Sequence, residues 1–422
     1  MSEPVRLDAT EHGLLRDQVD PEALDVTRRL SEAGYQALLV GGCVRDLLLG
    51  AEPKDFDVAT DATPEEVRQL FRRSRLVGRR FRIAHVRYGR KVIEVSTFRR
   101  SHTEDEDERR HSEEGVILRD NLYGSLEEDA FRRDFTINAL YYDPETEEIL
   151  DYVGGLEDLE RADLRFIGEA EVRLREDPVR LLRAVRFQAK LNFQLDESIE
   201  TALPDAAERL SVIPSARLFD EVAKLMMSGA AGAAWKAIAG TPLRAALFPG
   251  TPPDSRLVEL AMANTDQRIA SDLPVTPGFL LAVLMWHDFQ ARCNALTDER
   301  KPAEARHQAA SETLAAQQAV TSMPRRFSQF VRDVWSLQPR LEARLPRQID
   351  RIVQHPRFRA AYDFLVLRAE SGEQATDSEP LDDAAQWWTT FQQADQATRA
   401  DMTEARLAVQ PPRKRRRRRR RG

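Results

Sequence analysis

A short apolar run, Ala37-Leu38-Leu39-Val40, passes straight into Gly41-Gly42; a helix-length segment from Val44 to Leu49 follows, closed by Gly50, and then comes Asp55-Phe56-Asp57-Val58. No other feature restricts the fold as much. The apolar run reads as a strand bounded by a turn, and Gly50 suits the position just past a helix C-terminus. Residues i and i+2 of a strand share a face. Asp55 and Asp57 are therefore expected side by side, with Phe56 and Val58 turned to the core. Two adjacent carboxylates repel unless a cation lies between them. Hard oxygen ligands of this kind suit Mg²⁺, which takes one or two carboxylates plus substrate phosphates. A pair of such ions can activate an attacking hydroxyl and neutralise a leaving group. D-x-D alone is a common solvated strand edge. Here Gly41 and Gly42 let the backbone approach a ligand closely, the helix after them offers free N–H groups to phosphate, and Arg45 and Lys54 add positive charge.

The rest of the front third continues as strands. Ile83 to Tyr88, a Gly89-Arg90 turn and Val92 to Phe98 form an antiparallel hairpin. Val92, Glu94 and Ser96 share one face, Ile93, Val95 and Thr97 the other. A Glu between apolar neighbours is unusual on a strand, so Glu94 is either a third acidic group beside the aspartates or a rim residue paired with Arg99 or Arg100. Residues 155–370 read as helix after helix. The fold class expected is α+β: a helical lead-in (1–34), a head of mixed sheet and helices (35–150), a helical neck (151–230), a helical body (231–370), and a linker with a disordered tail (371–422).

The tail makes the charge balance informative. The chain of 422 residues carries 63 Lys+Arg against 70 Asp+Glu, a net charge of −7, yet Arg413 to Arg421 are all basic. Without those nine residues the balance is 54 against 70, or −16. Such a block repels itself and has no apolar face, so it does not fold alone. Its natural partners are polyanions. Two cysteines, Cys43 and Cys293, exclude a disulfide framework and a four-cysteine zinc site. No apolar run nears the ~20 residues that span a bilayer. The chain is expected to be cytoplasmic, with no membrane partner.

LLVGGCVRDLLLG followed by KDFDVAT resembles the first motif of the class II nucleotidyltransferases, the bacterial poly(A) polymerases and tRNA CCA-adding enzymes of the polymerase β superfamily. The resemblance covers roughly residues 20–370. It implies a polymerase-β-like head and catalytic metals on Asp55 and Asp57. Asp129 to Leu140 contains Arg-Arg-Asp-Phe-Thr-Ile-Asn. Taken alone, it sets Arg132 and Arg133 near phosphates and Asp134 or Asn138 near a sugar hydroxyl, or else pairs Asp134 internally with an arginine. The resemblance ties Arg133 and Asn138 to ribose and triphosphate and makes Asp134 a catalytic carboxylate, in competition with Glu94. Glu176, Asp177 and Arg180 match a motif whose Asp and Arg read the incoming base. Asp177 also suits a helix N-cap with Pro178 after it. Arg180, Arg183 and Arg186 form a cationic stripe, expected to meet triphosphate or RNA unless it is simply solvated. Asp151 to Leu159, with Gly154-Gly155, matches a head–neck spring or is a passive turn. Arg217 and Glu221 are spaced for a structural ion pair.

Within the family, Leu76 to Val86, with its Arg79-Arg80-Phe81 core, resembles the poly(A) polymerases, as do Pro324 to Trp335 and His355 to Arg368. A basic tail also suits sequence-independent RNA holding. The expected reaction is template-independent addition of adenylate from ATP to RNA 3′ ends, with Mg²⁺ or Mn²⁺, in RNA processing and turnover. The expected partners are RNA 3′ ends and RNA-decay machinery, and the expected state is a monomer. tRNA CCA addition is the alternative within the family. A non-catalytic RNA-binding protein is the alternative outside it, disfavoured by the intact Asp55 and Asp57. Residues 101–118 read as an acidic, polar loop that either moves during nucleotide selection or has no role.

Overall fold

The computed structural model describes residues 3–78, 82–100, 123–297, 300–373 and 380–409. Arg79-Arg80-Phe81, the 101–118 loop and the basic tail lie outside the described residues. Two compact units divide the chain, Met1–Ala206 and Ala207–Gly422.

The first unit is built on an eight-stranded sheet: β1 (Val5–Leu7), β2 (Ala37–Val40), β3 (Asp57–Thr60), β4 (Ser74–Val77), β5 (Ile83–Tyr88), β6 (Lys91–Thr97), β7 (Leu140–Asp143) and β8 (Glu148–Asp151). The spatial order is β1-β8-β7-β2-β3-β6-β5-β4. The β3–β6 pairing is parallel and its neighbours are antiparallel. β2 lies mid-sheet and is buried on both faces, which is why its four residues are all apolar without alternation. One face meets the helix α1 (Pro21–Glu32), capped by Asp20 with Pro21 at its start. Ala23, Val26, Thr27 and Leu30 recur along one side of α1 and are buried. Leu38, Val40, Ala59 and Tyr141 on the other face pack with Leu126 and Ala130.

The 1–34 segment is more than a lead-in, because β1 pairs with β8 and closes that sheet edge, with Arg6 bonded to Glu148 at 2.7 Å. Three residues of alternating polarity carry too little pattern to announce a strand.

The second unit is helical. Trp335 and Trp388 are among its largest fully buried side chains. Inside it Arg368, 2 % exposed, is held by Glu342 at 2.6 Å, Gln338 at 2.9 Å and Glu373 at 2.7 Å, and lies 4.5 Å from the Trp286 ring. The expectation of a linker from 371 onward fails beyond residue 380. Leu381–Gln393 and Gln396–Val409 are helices. Leu381, Ala384, Ala385, Trp388 and Phe391 fall on one helical face and are buried. The acidic composition hid that stripe. Glu221 pairs with Lys224 at 2.7 Å. Among the described residues no helix is long and apolar enough to cross a membrane.

Candidate active site

Asp57 begins β3 and stands in register with Glu94 on the parallel neighbour β6. Residues in register on adjacent strands share a face, so these two carboxylates point the same way. Asp55 lies two residues before β3, outside the strand and exposed, while Phe56 between them is buried. The expected alternation therefore holds, but only one aspartate is a strand residue. Burial pushes the Asp57 carboxyl up to about 6, the charges of Glu94 and Asp55 push it the same way, and Arg133 opposes them. His85 of β5 lies across from Glu94, with Nε2 3.3 Å from a carboxylate oxygen.

This donor set fits a divalent cation: hard oxygens crowd around Asp57 and raise its proton affinity, a repulsion that a cation relieves. Among the described residues no three acidic, His or Cys side chains are close enough to enclose one ion. Cys43 lies beneath the site, buried, its thiol pushed up to about 12 by desolvation. It is a packing residue.

Gly41 precedes α2 (Gly42–Leu48) with φ +82°, a conformation that favours glycine. A Cβ there would stand 3.6 Å from Nη1 of Arg133, so the Arg133 guanidinium sits against this turn. Lys54, one residue before Asp55, is exposed. Arg45 departs from expectation. It is 2 % exposed, donating to Asp46 at 2.6 Å and to Oδ1 of Asn138 at 2.6 Å. Its charge is consumed inside the fold, and Asn138, 8 % exposed, is its partner rather than an open sugar ligand.

The residue that sequence reasoning passed over is Asp129. It is 1 % exposed and bonds Arg132 at 2.5 Å, Arg133 at 2.9 Å and the Tyr141 hydroxyl at 2.8 Å. Burial alone would raise its pKa, but the two arginines and Tyr141 hold it below the usual carboxylate range. The signal was present as spacing: Asp129 precedes Arg132 and Arg133 by three and four residues on the helix Leu126–Phe131 and its C-cap.

Asp134 pairs internally. Its Oδ2 lies 2.5 Å from Nη2 of Arg183, as the second reading of that motif anticipated. Asp134 precedes the short helical turn Thr136–Asn138, while Arg183 belongs to α3 (Arg180–Leu191). Asp177 does not open α3 as its N-cap. It is the C-cap of the helix Ala170–Glu176, and its Oδ1 accepts the Val179 N–H at 3.3 Å in the turn leading into α3. Pro178 removes a donor, which breaks the helical run into two. Arg180 reaches Glu176 at 3.0 Å and the Arg173 carbonyl at 3.2 Å. The Gly pair at 154–155 is a close contact. A Cβ on Gly155 would lie 2.3 Å from the Thr136 carbonyl oxygen, Asp151 accepts three N–H groups of that turn, and Asp158 bonds the Thr136 hydroxyl at 2.5 Å.

Against known proteins, residues 37–165 match the model of the poly(A) polymerase head domain. Residues 192–254 match the probable RNA- and SrmB-binding site of polymerase A, and residues 298–422 its arginine-rich C-terminus. Poly(A) polymerase I of Escherichia coli O6:H1 is 44% identical over 396 residues, covering 90% of this chain and 84% of that protein. The chain belongs to the bacterial poly(A) polymerase family. It is thereby a nucleotidyltransferase. The CCA-adding enzyme of Lactobacillus delbrueckii subsp. bulgaricus is 39% identical, but over 226 residues, 54% of this chain and 55% of that one. Among solved structures, the Bacillus stearothermophilus CCA-adding enzyme in complex with CTP aligns with a TM-score of 0.57 and 26% identity, over 92% of this chain and 83% of that one. The head-plus-helices fold is thus shared across both branches. The sequence likeness extends over most of the chain to the poly(A) polymerases, and over about half to the CCA-adding enzyme.

Proposed function

We propose that this chain extends RNA 3′ ends with adenylate from ATP, releasing pyrophosphate. The observation that carries the reading is the register of Asp57 with Glu94, beside Asp55 and facing the glycine turn that Arg133 braces. Asp55 and Asp57 would hold divalent metal, Mg²⁺ or Mn²⁺, which supplies Lewis-acid charge at the reacting phosphate. The other roles belong to the chain. Glu94 completes the acidic face as the third carboxylate, because it shares the face of Asp57. Asp134 fixes Arg183 and acts as a positioning residue. Arg133, held by buried Asp129, presents a fixed cation to the triphosphate beside the Gly41-Gly42 backbone, and Lys54 adds an exposed one. Asp177 and Arg180 face the adenine base. In the transfer the 3′-oxygen bonds to the α-phosphorus as the bond to the β-phosphate oxygen breaks. Positioning and charge neutralisation carry most of the catalysis. In this reading the protein is a cytoplasmic monomer that meets ATP, RNA 3′ ends and the RNA-decay machinery.

The test is incorporation of each single labelled nucleotide onto a generic RNA primer with Mg²⁺, beside a tRNA lacking its CCA end. Long ATP-only tails on the generic primer are expected, with none from a folded Asp55→Ala or Asp57→Ala protein. Two CTP additions confined to the tRNA would move the chain to CCA addition. Activity retained in the folded variants would refute the carboxylate assignment.

A further inference from the structure

The Asp57–Glu94 register continues across the sheet. Glu94 stands opposite His85 on β5, and His85 opposite Arg75 on the edge strand β4. Asp57, Glu94, His85 and Arg75 therefore form one row on one face. Burial follows the same alternation: Ala84 and Val86 are buried, whereas Arg75 and Arg87 are exposed. Two residues nearer the hairpin tip, the Arg87 N–H donates to the Arg73 carbonyl at 3.0 Å, which puts Arg87 and Arg73 across from each other as the next row. The carboxylates thus lie at one end of a strip whose other end carries Arg73, Arg75 and Arg87.

These three arginines have no side-chain partner among the described residues. Neighbouring charges such as Arg82 and Lys91 are by contrast paired with Glu65 and Glu22. Arg73 and Arg87 also border a cavity of about 570 Å³ on the helix side of the sheet, where Glu22, Arg29, Phe71 and Tyr88 line it too. Arg29 is fixed there, donating to the Leu70 carbonyl at 2.8 Å and lying 4.3 Å from the Phe71 ring. With strands about 4.8 Å apart, the strip spans a few nucleotides of single-stranded RNA, and guanidinium groups match phosphate geometry.

We infer that the open face of β4 and β5 carries the RNA strand immediately upstream of the 3′ end, its phosphates on Arg73, Arg75 and Arg87. The inference rests on the RNA 3′-end reading above and adds the path of the primer. Sequence-independent holding follows, because phosphate contacts position without reading bases.

The test compares the full chain with its Arg73→Ala/Arg75→Ala/Arg87→Ala variant and the corresponding triple Lys variant. Affinity is measured by fluorescence anisotropy on an oligoadenylate of about fifteen nucleotides ending in 3′-deoxyadenosine, across a range of salt. Loss of three phosphate contacts should weaken binding by roughly tenfold or more and reduce the slope of log affinity against log salt by about 2. The Lys variant should recover most of both. ATP affinity should not change, and the advantage of the long primer over the dinucleotide ApA should collapse. Unchanged RNA affinity and slope overturn the track, and an equal loss of ATP affinity reassigns these arginines to the triphosphate. Binding is read on the blocked probe and adenylation on an unblocked primer of the same sequence, so a chain that binds the first but does not extend the second would refute the activity and leave the track standing.

Discussion

Asp57 and Glu94 face the same way from adjacent parallel strands, and the Glu94 charge raises the cost of ionising Asp57. Asp57 gains a proton affinity near pH 6 from burial first and from Glu94 second. A carboxyl whose pKa rises on folding stabilises the folded state at low pH. That contribution is complete below about pH 4 and is lost as pH rises through 6. In metal-free protein the loss is on the order of 3 kcal/mol. Thermal melts in chelator should show it, and Glu94→Gln should flatten the pH dependence by lowering the Asp57 midpoint. An unaltered profile in that variant would mean the two charges do not interact.

Asp129→Asn removes the charge that two arginines share in a buried site. Leaving Arg133 without a counter-charge should cost about 3 kcal/mol in urea unfolding. Tyr141→Phe removes one neutral donor from the same carboxylate and should cost about 1 kcal/mol. Equal effects for the two would contradict the assignment of Asp129 as the hub.

Gly155→Ala places a methyl group 2.3 Å from the Thr136 carbonyl oxygen, so backbone must move. We expect a loss of about 2 kcal/mol with reduced adenylation, since Thr136 lies two residues from Asp134. Gly240→Ala is the control: nothing lies within 4 Å of its Cβ position, and its stability change should stay within about 0.5 kcal/mol.

Arg368→Leu strands Glu342 and Glu373 in the second unit. The expected loss is about 4 kcal/mol at neutral pH, seen as early melting of the helices around it. Lowering pH protonates the stranded glutamates, so the penalty should shrink in acid. A penalty constant with pH would point to lost packing on Trp286 instead of lost charge.

Much of the site was legible because its chemistry is local. The Gly41-Gly42 turn is contiguous in the chain, and the alternation of Asp55, Phe56 and Asp57 follows from the two-residue period of a strand. Arg45 and Asn138 were legible as types and misread as open ligands. They lie 93 positions apart, and nothing local announces that each satisfies the other in a buried site. The two C-terminal helices were missed for a different reason. Five apolar residues among acids carry a weak stripe, and tertiary packing of Trp388 completes what composition does not.

The sequence by itself determined the central strands, the glycine turn before the Asp55–Asp57 pair and the family, because each rests on spacing within a few residues or on motifs contiguous in the chain. Only the tertiary structure puts Glu94 in register with Asp57 and pairs Asp134 with Arg183. The resemblance makes Asp134 the catalytic carboxylate with Glu94 in competition, and the proposal of Glu94 rests on the parallel pairing of β3 with β6 and on the Asp134–Arg183 contact. Those relationships join residues dozens of positions apart, and strand pairing and long-range charge contacts leave no periodicity for a sequence to display.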